Sequence, residues 1–191
     1  MRDQIKASIS DSINLKQQLL EDEEAITQIE GMVKAICESY RNGGKVLIMG
    51  NGGSAADAQH IVAELVGRFM MERKALPAIA LTTNSSNMTS IANDYDFDSV
   101  FSRQVEAFGN AGDIIIGITT SGNSKNIEKA LIKAKEQGMT TIGFLGKTGG
   151  VCKELCDYVL CPNSITARIQ EVHIMVGHIL CELIEKGLFE E

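Results

Sequence analysis

The apolar run Asp113-Ile-Ile-Ile-Gly-Ile118 leads directly into Thr119-Thr-Ser-Gly-Asn-Ser124, and a helically spaced segment begins at Lys125. A buried strand followed by a turn and then a helix is the repeating unit of a parallel α/β sheet. Such a turn leaves backbone N–H groups free at the positive end of the helix dipole. Four hydroxyls in this six-residue turn therefore indicate a phosphate ester as ligand, held without a Lys or Arg in the loop. An ordinary capped turn is the alternative, because Ser and Thr are common N-caps.

The chain after residue 44 alternates between continuously apolar runs and helically spaced segments. Strands that are buried on both faces have this pattern, which is typical of a parallel sheet between two helical layers. Strands are predicted at 45–49, 77–81, 113–118, 140–145 and 158–160, and helices at 54–68, near 86–93, at 98–108, at 124–137 and from about 165 to 186. This order predicts a flavodoxin-like, three-layer α/β sandwich around a five-stranded parallel sheet. Ligands are expected beyond the carboxyl ends of its strands.

The first 43 residues have helical patterning and contain no strand-like run. Two apolar stripes predict two helices, with the acidic group at 21–24 starting the second and Asn42-Gly43-Gly44 ending it. Two helices before any strand are more than a small α/β core needs. They could pack on the sheet, but we favour a role in subunit contacts. Residues 1–191 would then form one domain, with residues 1–43 as a helical extension used in oligomerisation.

Length and charge narrow the classes of protein to consider. The chain has 191 residues, which fits one domain, and a formal net charge of −7. A net negative charge does not favour binding to nucleic acid or to an anionic membrane. No apolar run approaches the roughly 20 residues that span a bilayer, and the amino terminus has no signal-peptide core. We therefore expect a cytoplasmic protein with neither nucleic acid nor a membrane as partner.

Two cofactor sites are considered and disfavoured. The turn Met49–Ser54 follows the first strand but lacks the G-x-G-x-x-G spacing, and no acidic residue ends the second strand, which argues against a nicotinamide cofactor. Ser54 is expected to cap the helix that follows. A thiolate zinc site at Cys152, Cys156 and Cys161 would need a matching C-x-x-C pair, and none exists. An odd total of five cysteines indicates reduced thiols, and small core residues are the preferred interpretation.

All three histidines fall in two predicted helices. His60 and Glu64 are spaced i, i+4 on one helix, so they share a face and could bind one metal ion, although a surface ion pair is the commoner meaning of that spacing. Gln170, His173 and His178 interrupt the apolar face of the last helix, and buried polar groups need partners. Either histidine could join Gln170 in a site, and the spacing does not choose between them.

Taken together, five motifs in register resemble the sugar isomerase (SIS) fold, and within it the sedoheptulose 7-phosphate isomerases, also called phosphoheptose isomerases. The motifs are Gly50-Asn51-Gly52-Gly53-Ser54, His60 to Glu64, Asn93-Asp94, Thr119 to Ser124, and Arg168-Ile169-Gln170-Glu171-Val172-His173. The match runs nearly from end to end. It implies an aldose–ketose isomerase that converts sedoheptulose 7-phosphate to D-glycero-D-manno-heptose 7-phosphate through an enediol, the first step towards the activated heptose of bacterial lipopolysaccharide and other surface polysaccharides.

The resemblance also implies roles for individual residues. Glu64 matches the family's catalytic base and His178 its acid. One zinc ion per subunit would be held by His60, Glu64, Gln170 and His178. The substrate would contact Asn51, Gly52, Gly53, Glu64, Asn93, Asp94, Thr119, Thr120, Ser121, Ser124 and Gln170. His173 would be a neighbouring core residue or a residue that supports the metal ligands. A homotetramer with sites at subunit interfaces is implied as well. The chain departs from some relatives at Ala167, where certain members carry an Asp, and at Thr119, which replaces a Ser.

A second function is compatible with the same fold. The replication-initiator-associating proteins bind the initiator DnaA and are not known for isomerisation, and this chain resembles them in its amino-terminal stretch and in Ser164 to His173. As we align it, that group lacks the equivalents of Glu64 and His178, and it places an Arg at the position of Ser121. Because both catalytic residues are present here, we favour the enzyme. A sugar-phosphate-sensing regulator would need a DNA-binding domain, for which we see no room.

Overall fold

The computed structural model describes residues 1–190, and it confirms the predicted α/β sandwich. The elements in chain order are α1 (Arg2–Glu21), α2 (Glu23–Arg41), β1 (Val46–Gly50), α3 (Gly53–Val66), β2 (Ala78–Ala80), α4 (Ser85–Asp94), α5 (Ser102–Phe108), β3 (Ile114–Ile118), α6 (Lys125–Glu136), β4 (Thr140–Phe144), β5 (Tyr158–Leu160) and α7 (Thr166–Phe189). Short 3₁₀ turns lie at Phe97–Ser99 and Lys153–Leu155. The predicted strands are all present, and their ends differ from the prediction by one residue or none.

The five strands form one parallel sheet in the order β2-β1-β3-β4-β5. The order reverses between β1 and β3, so the connections that leave these neighbouring strands run to opposite sides. The crevice that results, beyond their carboxyl ends, is where this class of sheet binds ligands. The turns after β1 and β3 are the two that the sequence singled out.

Both faces of the sheet are covered, which explains why β1 and β3 carry no polar side chain at any position. In β1, Val46 and Ile48 pack in a cluster with residues of α1, α2, α3 and α7. The intervening Leu47 and Met49 pack in a second cluster with residues of α5 and α6. All four side chains are fully buried. Burying such side chains contributes about 1.5–3 kcal/mol each, so the two clusters supply much of the stability of the fold.

The two amino-terminal helices differ in how much they bury. In α2, Asp22 caps the helix by accepting hydrogen bonds from the backbone of Glu24 and Ala25, and several of its apolar residues are buried. In α1, Leu15 is the buried residue. Side chains of α1 that are more than half exposed include Ile5, Ile9, Ile13 and Leu20. Because these isoleucines recur every four residues, they form an apolar stripe along the helix.

The amino edge of the sheet carries a buried ion pair. Asp113, which is 3% exposed at its side chain, pairs with the ammonium group of Lys45 just before β1. Its carboxylate also accepts hydrogen bonds from the backbone N–H groups of Lys45 (2.9 Å) and Asn110 (2.8 Å). This carboxylate therefore ties the starts of β1 and β3 together. Among the helices of residues 1–190, none is both long and apolar enough to cross a bilayer.

Candidate active site

The hydroxyl-rich turn after β3 lies at the carboxyl edge of the sheet. The Thr119 side chain is nearly buried, and its Oγ1 lies 2.9 Å from Ser124 Oγ and 3.3 Å from Ser121 Oγ. Ser124 occupies the N-cap position of α6, but its side chain makes no capping hydrogen bond. The hydroxyls are thus clustered with one another and are not used to cap the helix, as the alternative of an ordinary capped turn would require. Thr120 is partly exposed and Ser121 exposed beside them.

The turn after β1 is tied to the turn after β3. Asn51 and Asn126 exchange two amide hydrogen bonds of 3.0 and 2.9 Å, which join the two turns across the point where strand order reverses. Gly52 is the N-cap of α3 with a φ of 56°, a left-handed conformation that favours glycine. The expectation that Ser54 caps α3 is therefore wrong, because the helix begins one residue earlier and Ser54 lies buried within its first turn.

Three predicted site residues meet between α3 and α7. His60 Nε2 lies 2.8 Å from His178 Nε2 and 3.3 Å from Glu64 Oε1. Within residues 1–190 this is the one group of at least three His, Cys, Asp or Glu side chains whose ligand atoms lie within 4.8 Å of one another. Two imidazole nitrogens that face each other at this distance need opposite tautomers for a hydrogen bond, whereas a cation would accept both lone pairs. Two nitrogens and a carboxylate oxygen are a donor set that suits zinc.

Gln170 meets α3 nearer to its start. Its amide lies against Gly53, where a Cβ atom would come within 2.5 Å of Nε2 and would displace the amide. The amide Nε2 donates to Asp57 Oδ1 at 3.4 Å, and the buried Asp57 Oδ2 has no partner among residues 1–190. Burial raises the pKa of Asp57, an effect that the Gln170 hydrogen bond and nearby His60 oppose. That Gln170 joins the metal ligands stays a prediction.

The structure distinguishes the two histidines of α7. His178 lies in the group with His60 and Glu64, whereas His173 is fully buried and shares a 2.6 Å hydrogen bond with the carbonyl of Leu145. The His173 ring packs against Phe144 at 5.7 Å between centroids. Burial lowers the pKa of His173 to about 4, so this histidine is neutral at ordinary pH. It lies in the core beside the site, as the resemblance implied.

Asn93 and Asp94 are not hydrogen-bonded through their side chains to the other predicted substrate contacts among residues 1–190. Both are exposed at the carboxyl end of α4, and Asn93 Nδ2 donates to Asp94 Oδ1 at 2.9 Å. Among residues 1–190, no side-chain hydrogen bond joins them to the hydroxyl turn or to the histidines. Their contact with a substrate stays a prediction.

The cysteines have the properties of core residues. All five are free thiols, and Cys152 packs in the cluster under α5 and α6. Burial raises the pKa of Cys152 to about 11 and that of Cys156 to about 12, so both thiols are protonated at neutral pH. That these cysteines serve as small core residues, with no zinc bound to them, stays a prediction.

Sequence reasoning missed three residues beside the site. The Phe69 ring stacks on His178, with 5.6 Å between centroids and 21° between planes. Arg73 and Glu185 form an ion pair with both side chains 1% exposed. One signal was available, because Glu185 lies seven residues after His178 and hence on the same face of α7. Arg73 and Phe69 fall in a segment without periodicity, whose contacts depend on tertiary structure.

The comparisons with known proteins agree with this geometry. A family model described as SIS domain matches residues 9–146. The phosphoheptose isomerase of Clostridium acetobutylicum is 56% identical over 192 residues, which cover 100% of this chain and 98% of that protein. The phosphoheptose isomerase of Aneurinibacillus thermoaerophilus is 52% identical over 190 residues, or 99% and 96% of the two chains.

A solved structure extends the agreement to three dimensions. The phosphoheptose isomerase GmhA from Neisseria gonorrhoeae superposes with a TM-score of 0.91 at 41% identity, covering 97% of this chain and 98% of that one. The family model covers most of the chain, and the relatives match it over nearly its whole length. The chain therefore belongs to the SIS-domain family and, within it, to the phosphoheptose isomerases, which are aldose–ketose isomerases.

Proposed function

We propose that this chain converts sedoheptulose 7-phosphate to D-glycero-D-manno-heptose 7-phosphate, as the first step towards an activated heptose. The observation that carries the proposal is the meeting of His60, Glu64 and His178 between α3 and α7, in a fold that also presents a cluster of hydroxyls in the turn after β3. A carboxylate, an imidazole and a phosphate-binding turn are the groups that this isomerisation requires. The sugar names come from the resemblance, since the turn recognises a phosphate without counting carbons.

The hydroxyl turn would bind the phosphate end of the substrate. Thr119, Thr120, Ser121 and Ser124 would donate hydrogen bonds to the phosphate oxygens, and the dipole of α6 would favour the negative charge. Anchoring the phosphate holds C1 and C2 of the sugar at a fixed place relative to the catalytic side chains, which lowers the entropic cost of the reaction. Asn51, Gly52, Gly53, Asn93 and Asp94 would contact the sugar hydroxyls.

Glu64 and His178 would move the protons. Glu64 takes the proton from C1 of the ketose, and the electron pair forms the C1–C2 double bond of an enediol as the C2 carbonyl oxygen gains a proton from His178. The O1 hydroxyl then loses its proton to His178, the C1 carbonyl forms, and Glu64 returns its proton to C2. No electrons leave the sugar, so no redox cofactor is needed.

One zinc ion per subunit would be held by His60, Glu64, Gln170 and His178. Zinc supplies Lewis-acid stabilisation for negative charge on the sugar oxygens. A ligated carboxylate is a weaker base, so the two roles of Glu64 compete.

We further propose that the chain assembles as a homotetramer through its amino-terminal extension. The support is the apolar stripe of α1, where Ile5, Ile9 and Ile13 are each more than half exposed. An exposed apolar row of this kind marks a surface for association.

The test is turnover of sedoheptulose 7-phosphate by the purified protein with metal removed, with zinc restored, and with Glu64→Gln. Zinc-dependent activity that Glu64→Gln abolishes would support both the base and the metal. Activity without metal would be consistent with Glu64 and His178 as base and acid, and it would show that zinc is not required for the reaction. Absence of turnover under every condition would contradict the proposal. It would favour the alternative function, binding to the initiator DnaA.

A further inference from the structure

The segment that joins α3 to β2, residues 67–76, is irregular but firmly held; we refer to it as the strap. One carboxylate of α7 binds three of its successive backbone N–H groups. Glu185 accepts from Phe69 and Met70 at 2.8 Å and from Met71 at 3.1 Å. Burial by itself would raise the pKa of Glu185, but these bonds and Arg73 outweigh it and lower the pKa. The carboxylate is therefore charged and fixes the strap to α7.

Arg73, in the strap, caps the helix that carries the proposed base. Its Nε donates to Glu185 at 2.8 Å, and its Nη2 donates to the carbonyl of Glu64 at 2.8 Å. Nη1 donates to the carbonyls of Leu65 (2.8 Å) and Gly67 (3.1 Å). The last carbonyls of a helix have no partner within it, and α3 has no basic residue in its own last turn. Arg73 thus supplies both the donors and the positive charge that this helix end lacks.

The strap also supports the proposed acid. The Phe69 ring stacks on the imidazole of His178, and the backbone of Phe69 is bound by Glu185. Glu185 is therefore linked to His178 through Phe69 and to the backbone of Glu64 through Arg73. One ion pair connects the supports of both side chains that would move protons.

We infer that Phe69, Arg73 and Glu185 are positioning residues for the isomerase reaction, which hold Glu64 and His178 in register across the α3–α7 contact. The inference rests on the roles proposed above for Glu64 and His178. A buried ion pair is weak evidence for stability, because removing two charges from water offsets much of their attraction. The three hydrogen bonds that Arg73 donates to the end of α3 are better explained by geometry, since small displacements of catalytic groups reduce rates strongly.

The first test replaces the ring and leaves the ion pair in place. Phe69→Leu should lower kcat about tenfold with KM changed less than about twofold, and should weaken zinc binding to the metal-free protein about tenfold, in the range of residues that orient metal ligands. Phe69→Tyr, which retains the ring, should restore both values. Phe108→Leu at the exposed end of α5 is the matched control and should leave both unchanged.

The second test addresses the ion pair. Arg73→Lys retains the positive charge beside Glu185 but loses most of the bonds to the end of α3, so kcat should fall at least about tenfold. Lys45→Met at the amino edge removes a partner from another buried pair and should lower stability without lowering the kcat of the folded protein. If Arg73→Lys does not fold, the Phe69 variants alone test whether these residues position Glu64 and His178.

The outcomes separate this inference from the proposed function. Wild-type kcat and wild-type zinc affinity in Phe69→Leu would overturn the inference, even in an active isomerase. A wild-type protein that binds zinc but does not turn over the sugar would contradict the proposed function. In that case weaker zinc binding by Phe69→Leu, restored by Phe69→Tyr, would still establish that the strap positions His178.

Discussion

The two edges of the sheet each bury an aspartate, and they treat its carboxylate differently. At the amino edge, Asp113 is paired with Lys45 and accepts two backbone hydrogen bonds at 2.8 and 2.9 Å. At the carboxyl edge, Asp57 accepts one long bond of 3.4 Å from Gln170, and its second oxygen has no partner among residues 1–190. The two residues as a whole are similarly buried, with 2% exposed in Asp113 and 7% in Asp57.

This difference in hydrogen bonding distinguishes polar groups that stabilise the fold from polar groups that are available to bind a ligand. A fully paired carboxylate contributes to stability, whereas an underpaired one is tolerated where function requires it. The hydroxyls of Thr119 and Ser124 face each other in the turn at the carboxyl edge, and the nitrogens of His60 and His178 face each other between α3 and α7. This contrast can be tested by comparing matched substitutions at the two edges.

Glu64→Gln should have the largest effect, because it removes the proposed base and leaves its shape. We expect kcat to fall by about 10²–10⁴, the usual contribution of a general base. Thermal stability should change little, since the Glu64 side chain is 24% exposed. Turnover assays and thermal melts measure the two quantities. A kcat within tenfold of wild type would remove Glu64 from the base role.

Asp113→Ala should show the opposite pattern. It leaves Lys45 and two backbone N–H groups without their partner, so the free energy of unfolding should fall by about 3 kcal/mol. The kcat of the folded protein should equal that of wild type, because the Asp113 side chain bonds Lys45 and Asn110 and none of the proposed site residues. Urea denaturation and turnover below the transition check this. A loss of kcat without a loss of stability would contradict the division between the edges.

Thr119→Val should act on substrate binding. The substitution removes the hydroxyl that clusters with Ser124 and retains the buried shape, so KM should rise about tenfold, equivalent to about 1.4 kcal/mol. Thr141→Val is the matched control at the start of β4, where the hydroxyl donates to the carbonyl of Leu155. This control should lower stability by about 1 kcal/mol and leave KM unchanged. Equal KM values in both variants would mean that the turn does not bind phosphate.

Asp57→Asn should have the smallest effect, and it should stabilise the fold. Burial raises the pKa of Asp57 above its ordinary 3.8, so ionisation is disfavoured in the folded state. Below pH 3.8 the wild type loses nothing. The loss of stability develops as pH rises from 3.8 through the raised folded pKa and is complete above it. At pH 7 the melting temperature of the variant should therefore exceed that of wild type, by about 2–4 °C for each 1 kcal/mol recovered.

The control for Asp57→Asn is the pH dependence itself. The difference in melting temperature between variant and wild type should vanish at pH values well below 3.8 and grow with rising pH. Glu185 behaves in the opposite sense, because its lowered pKa stabilises the fold above its ordinary 4.5 and this contribution is lost as pH falls below that value. A stabilisation by Asp57→Asn that does not depend on pH would show that charge burial is not its cause.

Much of the fold followed from local patterns in the sequence. Continuous apolar runs identified the strands, since a strand buried on both faces has no polar side. The hydroxyl turn could also be located from the sequence, because a turn between a strand and a helix is a local feature. The prediction that Ser54 caps α3 was wrong, because the left-handed Gly52 is the N-cap and the helix begins at Gly53. Helix ends depend on backbone geometry that residue preferences describe only loosely.

The candidate site was only partly readable along the chain. The i, i+4 spacing placed His60 and Glu64 on one face, but helical geometry allowed either His173 or His178 to join Gln170 in a site. The tertiary structure decided, because the packing of α7 on α3 directs His178 to the pair and His173 into the core. The resemblance, not the spacing, had assigned His178.

The sequence by itself determined the layers of this protein, its turns and the chemical types available at the carboxyl edge. These depend on periodicity and on residues adjacent in the chain. Only the tertiary structure decided that His60 faces His178, that one oxygen of Asp57 lacks a partner, and that Glu185 links Phe69 and Arg73 to α7. Such contacts join residues more than a hundred positions apart, and they are set by how two helices pack, which no local pattern encodes.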